Sequence, residues 1–219
     1  MNPNQVVREV EGLTSEVISL GVSIDQNFPS IKQNRNGCFI VGWGNYDNIS
    51  IAMKNISYKD IYQELEKKRL FNFKLIDGAL IQIMYTFDKE GLLSHRLAFF
   101  PSYSLESYQN DPDIYEKEDL YADILAKNLV PVPIRFDYNR DEDDGSKFHH
   151  AKSHLTLGQY KNCRIPVLGP LSASAFVDFI LRNFYSTLHQ EFTIKDSQII
   201  KYGRTITDTE EKLLHINML

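Results

Sequence analysis

Three of the chain's six histidines fall at His149, His150 and His154, in the stretch "FHHAKSHLTLG". Imidazole changes charge between about pH 5 and 8, so such a cluster can supply a proton donor and a proton acceptor in one place. Upstream stands "RFDY", with Arg135 and Asp137 at alternate positions; downstream stands "CRIPVL", with Arg164. Arginine presents a flat, two-pronged cation that matches phosphate oxygens. A carboxylate can orient an imidazole. Together these types suit cleavage at phosphorus, which needs a base, an acid and cations on the developing charge.

Such residues act together only if the backbone aims them the same way. Each stretch reads as a short strand, and side chains alternate along a strand. In "VPIRFDY", Val132, Ile134 and Phe136 share one face, while Arg135 and Asp137 share the other. In "KSHLTLG", Leu155 and Leu157 oppose Lys152, His154 and Thr156; in "CRIPVL", Ile165 and Val167 oppose Arg164. In "SHRLAFF", Arg96 opposes Leu97 and Phe99, which take His95 to their side. Neighbouring strands would then display Arg96, Arg135, Asp137, His154 and Arg164 on one face, with helices covering the other. His150 joins His154 if the strand extends that far back. The expected roles are His154 as base or acid, His150 as its partner and Asp137 as the group orienting His154. Arg135, Arg164 and Arg96 hold the phosphate.

Two plainer alternatives stand beside this. A solvated sheet face usually carries Thr, Lys, Glu and Ser rather than Arg with His and one carboxylate. His150, His154 and Asp137 could also ligate a transition metal, on spacing alone. No cofactor is expected, with a divalent metal as the alternative. The run "DYNRDEDDG" reads as a charged loop: Asp141, Asp143 and Gly145 fit a calcium loop poorly, and no closing ligand follows.

The elements that must carry these residues are legible in outline. Val7, Val10, Leu13, Val17 and Leu20 mark an amphipathic helix over 4–20. "NGCFIVGWG" is a β run, and "SYKDIYQELEKKR" is a helix capped by Ser57 with Asp60 at the capping-box position. A hairpin of roughly 73–87 with 93–100 turns at "KEG". The acidic, Tyr-rich stretch 103–128 is a loop followed by a helix from about 116. "GPLSASAFVDFILRNFY" is the clearest helix, with Pro170 in its first turn and a stripe of Phe176, Ile180, Leu181 and Phe184. A strand at 192–201 and a short helix at "TDTEEKLL" close the chain. One α+β domain over 1–219 is expected, with a largely antiparallel sheet, helices on one face and the Arg/His/Asp set on the other.

Composition narrows the function. A net charge of −5 disfavours a general nucleic-acid coating protein, although a local basic pocket is compatible with it. No Walker loop or G-x-G-x-x-G fingerprint is present. Cys38 and Cys163 lack metal spacing and read as buried, reduced thiols. The acidic, polar N-terminus does not read as a signal peptide and no apolar run reaches the ~18 residues of a membrane span, so a cytoplasmic location is expected.

The stretch from "PIRFDY" to "FILRNFY" resembles a bacterial family named domain of unknown function 2290. The matching motifs are an R-x-D-Y strand (Arg135, Asp137, Tyr138) and an S-H-L-x-x-G segment (Ser153, His154, Leu155, Gly158). An R-I-P-x-x-G-P turn (Arg164, Ile165, Pro166, Gly169, Pro170) and an aromatic-rich helix follow. That name carries no activity. A weaker local likeness is to TumE-type toxins, which pair an R-x-D-x strand with a His cluster ending in H-L or H-V before a Gly; Thr156 departs from their pattern. This likeness implies a toxin-like or phage-defence protein; the His/Arg/Asp set itself points to a metal-independent ribonuclease, or to an enzyme that binds or modifies a nucleotide on the same face. The alternative is a non-catalytic interaction subunit of a defence or toxin–antitoxin operon, using the Tyr-rich stretch 103–123 as its contact surface. Either reading expects a partner protein from the same operon and no membrane, and leaves homo-oligomerisation open.

Overall fold

The computed structural model describes residues 2–44, 56–105, 110, 132–142, 150–160, 162–192 and 200–217. The chain opens with α1 (Pro3–Ser19), where Pro3 stands in the first turn. The Asn2 side chain accepts from the Gln5 N–H, and the Gln5 side chain accepts from the Asn2 N–H. That reciprocal box satisfies donors a helix start would otherwise leave open. Val6, Val10, Leu13 and Val17 form the buried stripe.

The strands are β1 (Ser23–Gln26), β2 (Ser30–Gln33), β3 (Phe39–Gly42), β4 (Phe73–Leu75), β5 (Leu80–Asp88), β6 (Gly91–Phe100), β7 (Ile134–Asn139), β8 (Ser153–Leu157) and β9 (Ile165–Pro166). They form one nine-stranded sheet in the order β1-β4-β5-β6-β7-β8-β9. All the strand pairings are antiparallel. One edge of β5 is shared by β4 and β3, and β2 extends the sheet from β3. The expected strand over 73–87 is therefore two strands. Asp77–Gly78 breaks it: Gly78 has φ +80°, and the Asp77 side chain accepts from the Ala79 N–H at 3.0 Å. The fold is α+β and largely antiparallel, as expected.

The helices are α2 (Tyr58–Lys67), α3 (Ala173–Phe184) and α4 (Ser186–Glu191). The cap of α3 is Ser172, whose hydroxyl accepts from the Ala175 N–H at 3.0 Å, so Pro170 precedes the helix instead of opening it. The main core lies between the sheet and α1 with α3, and includes Ile83, Leu97, Phe136, Leu155, Phe176 and Ile180. A second apolar cluster sits on the opposite face, where Ile61, Tyr62 and Leu65 of α2 meet Leu80, Ala98 and Phe100. One helix thus covers part of the face that the sequence reading leaves to polar groups.

Near the C-terminus the chain returns to β9: Ile216 bridges Val167, and Thr205 and Ile206 donate to the Leu168 carbonyl. The approach is close enough that a Cβ on Gly169 would stand 2.6 Å from the Gly203 carbonyl oxygen. The expected terminal helix is a single 3-10 turn at Glu210–Lys212, entered through a Thr207–Glu210 box. Residues 200 and 201 are not in a strand; 193–199, the helix expected from about 116 and most of the Tyr-rich stretch lie outside the described residues. Cys38 and Cys163 are half-buried rather than buried.

Candidate functional site

Strand register assembles the site. Met84 pairs with Arg96, Arg96 with Asp137, Asp137 with His154 and His154 with Pro166. One row across β5–β9 therefore carries an arginine, a carboxylate and an imidazole side by side. The adjacent row runs Ala98, Arg135, Thr156. Side chains at these positions share one face because strands alternate with period two. Arg164 stands one residue before β9, and His150 lies ahead of β8 rather than within it.

The result is a cleft of about 470 Å³ lined by Arg96, Arg135, Asp137, His150, His154 and Arg164, together with Glu142. All six candidate residues named from the sequence line it. His149 lies outside the described residues. Lys152, expected on the same face, is exposed ahead of the strand; Thr156 is buried. Three guanidiniums against two carboxylates make the cleft a cationic spot in an acidic protein. Low-dielectric walls concentrate such a field.

Asp137 is the brace. Its Oδ1 accepts from Arg96 Nε at 3.0 Å, and its Oδ2 lies 3.9 Å from Arg135 Nε, beyond hydrogen-bond range. Burial pushes its pKa up, but the Arg96 and Arg135 charges outweigh burial and hold the carboxyl below its ordinary value. Burial lowers the pKa of Arg135, as do the Arg96 and Arg164 charges, against the pull of Asp137.

His154 is set by two contacts. Its Nδ1 lies 2.8 Å from the Ala151 carbonyl oxygen, and its Nε2 lies 3.3 Å from Arg164 Nη1. A carbonyl only accepts and a guanidinium only donates. One ring state satisfies both: neutral, protonated on Nδ1, with the Nε2 lone pair towards the cleft. Burial lowers the His154 pKa, reinforced by the Arg164 and His150 charges, over the opposing effects of the Ala151 bond and Asp137. Asp137, expected to orient this ring, acts on it here through charge and not through a hydrogen bond. The Ala151 carbonyl orients the imidazole, while Asp137 is taken by Arg96.

The His150 ring centroid is 5.1 Å from that of His154, and its Nδ1 contacts the Glu142 carboxylate. Its Nε2 is buried with no hydrogen-bond partner among the described residues. Glu142 is the member that sequence reasoning missed. It is one acid in an acidic run, and nothing in its spacing separates it from its neighbours. Among the described residues, no three His, Cys, Asp or Glu side chains gather to hold a metal ion, so the His150/His154/Asp137 ligand set is not assembled there.

An open antiparallel sheet backed by helices, with a cationic histidine cleft on its other face, defines the class of molecule. Residues 22–218 match the model of a family described as an uncharacterized conserved protein (DUF2290), and the chain belongs to that family. Nothing among curated proteins or solved structures matches it. The likeness to TumE-type toxins has no counterpart in these comparisons. No helix among the described residues is long and apolar enough to cross a membrane.

Proposed function

We propose that the cleft cleaves RNA by attack of a 2′-hydroxyl on the adjacent phosphorus, without a metal. The observation that carries this reading is the neutral His154 imidazole, its Nε2 lone pair turned into a cleft with three arginines. In the proposed step Nε2 takes the 2′-hydroxyl proton, and the 2′-oxygen bonds to phosphorus. The bond from phosphorus to the 5′-oxygen breaks, and His150 delivers a proton to that oxygen. The products are a 2′,3′-cyclic phosphate and a 5′-hydroxyl. Arg135 and Arg164 hold the non-bridging oxygens, and Arg96 fixes Asp137 beside them.

The cleft's modest volume suits one or two nucleotides, which fits the chain's net negative charge. A setting as a toxin-like or phage-defence effector, with a partner protein from the same operon, rests on the local motif likeness alone. A half-buried convergent site supports an enzyme over a non-catalytic interaction subunit. The test is cleavage of single-stranded RNA by purified protein, alone and with its operon partner, with and without chelator. Activity that survives chelator and yields cyclic phosphate ends is expected. Inactivity of the wild type on all RNA and DNA would remove the reading and favour the interaction subunit.

A further inference from the structure

The Arg164–His154 contact joins a cation to a neutral ring. Arg96 Nε is bonded to Asp137 at 3.0 Å, whereas among the described residues Arg164 Nη1 meets an imidazole nitrogen at 3.3 Å. A guanidinium bond to an anionic oxygen is roughly twice as strong as one to a neutral acceptor. An anionic oxygen is therefore a stronger acceptor for Arg164 than the His154 ring is. Arg135 stands on the next row of the same face, its Nε too far from Asp137 for a hydrogen bond, and supplies a second arm.

Resting on the cleavage reading above, we propose that Arg164 and Arg135 form an oxyanion subsite, and that the anion's capture of Arg164 uncovers Nε2 of His154. The resting contact masks the base; the substrate's own phosphate unmasks it. Once Arg164 turns to the anion, His154 faces a negative charge where it faced a positive one, and proton uptake at Nε2 is favoured. Among the described residues, the charged and titratable groups around the ring are Asp137 and Arg135 on β7, Arg96 and His95 on β6, Arg164 ahead of β9, and His150 with Glu142 before β8. Of these, Arg164 is the one joined to Nε2 by a hydrogen bond. Coupling is reciprocal, so protonation of His154 must in turn tighten the anion.

The test uses inorganic sulfate, which keeps its two charges across neutral pH, and a 2′-deoxy dinucleotide, which carries one phosphodiester and cannot be cleaved by this route. Ring resonances of His154 are followed by NMR during each titration, and proton uptake by calorimetry in two buffers. Sulfate is expected to move His154 towards its protonated form with net proton uptake. In Arg164→Gln, affinity should fall about tenfold or more and the ring should stop responding. Arg164→Lys, which keeps the charge but loses the fork, should bind weakly with a reduced response; circular dichroism checks that both variants fold. Tighter binding of the dinucleotide than of sulfate marks a chain-borne phosphate, and the reverse marks a free oxyanion; the coupling to His154 stands in either case. No sulfate binding, binding that leaves His154 unmoved, or wild-type coupling in Arg164→Gln would overturn the proposal. RNA cleavage measured on the same preparation separates the two ideas. Coupling without cleavage removes only the nuclease, and cleavage without coupling removes only the unmasking.

Discussion

His95 and His154 lie on neighbouring rows of the same sheet, each 4% exposed, but on opposite faces. His95 Nε2 accepts from the Leu171 N–H at 3.1 Å, in the packed layer beneath α3, and its ring touches Tyr85 and Tyr138. His154 Nε2 accepts from the end of the Arg164 side chain. A backbone partner cannot leave without unpacking the approach to a helix, whereas an arginine can swing away. Solvent exposure is the same at both, so exposure does not tell the two rings apart. What separates the two rings is the group that holds the lone pair, a backbone amide at His95 and a side chain at His154.

The sharpest way to break this comparison is to remove each ring. Under the proposed mechanism, His154→Ala should cut RNA cleavage by a factor of about 10²–10⁴, beyond any loss of folded protein. His95→Asn should lower the melting temperature while activity per folded molecule holds. Equal activity losses in both variants, tracking the melting temperature, would make His154 a second structural histidine. Arg135→Lys should also damage cleavage, because an ammonium cannot copy the forked contact to phosphate.

The helix-covered face answers to packing instead. Phe176 is fully buried and meets Phe136 edge-on at 6.1 Å between ring centroids. Phe176→Ala should cost about 3–5 kcal/mol in denaturant melts and leave anion binding by the folded fraction unchanged. A cost below about 1 kcal/mol would show that α3 is not what closes this core.

The same contrast has a pH signature. Burial, outweighing the pull of the Asp137 charge, lowers the His95 pKa to about 4, against about 6.5 in an unfolded chain. Between those values the unfolded chain binds the extra proton. The stability from keeping His95 neutral is therefore complete above about pH 6.5, falls as pH drops towards 4, and levels off below. The loss is on the order of 3 kcal/mol. Urea melts of wild type and His95→Asn at about pH 7.5 and pH 4 isolate it, because the carboxylates common to both cancel. Parallel pH curves for the two proteins would exclude His95 as the source.

How much of this was written in the chain depends on the kind of contact. Alternation is a property of sequence, so Arg96, Arg135, Asp137 and His154 could be placed on one face, and His95 on the other, from spacing alone. Strand order was not written there, and it is register that sets Arg96, Asp137 and His154 in one row. Hydrogen-bond choice was less legible still. Asp137 is across from His154, but the ring takes the Ala151 carbonyl, which a bend ahead of β8 supplies. Asp77–Gly78 carries a turn signal that the apolar run around it conceals. Glu142 carries none. The stripe on α2 announces a buried side without saying which sheet face it meets, and that side proved to be the cleft's own face.

The smallest effect tests whether the two halves of that face act independently. Ser57 caps α2, accepting from the Asp60 N–H at 3.2 Å and donating to the Asp60 carboxylate at 2.6 Å. The cap is exposed, so its removal leaves a helix donor to water and opens no cavity. Ser57→Ala should cost about 1 kcal/mol, as N-cap losses typically do. The apolar cluster of Ile61, Tyr62 and Leu65 with Ala98 and Phe100 would loosen with it. Ala98 pairs with Arg135, so β6 joins this cluster to the cleft. If that strand is rigid, sulfate affinity and the His154 response stay at wild-type values while the melting temperature falls by a few degrees. If they fall together, the cleft geometry is held by α2 as well as by strand register. The same purified variant gives both readings, a thermal melt and a sulfate titration.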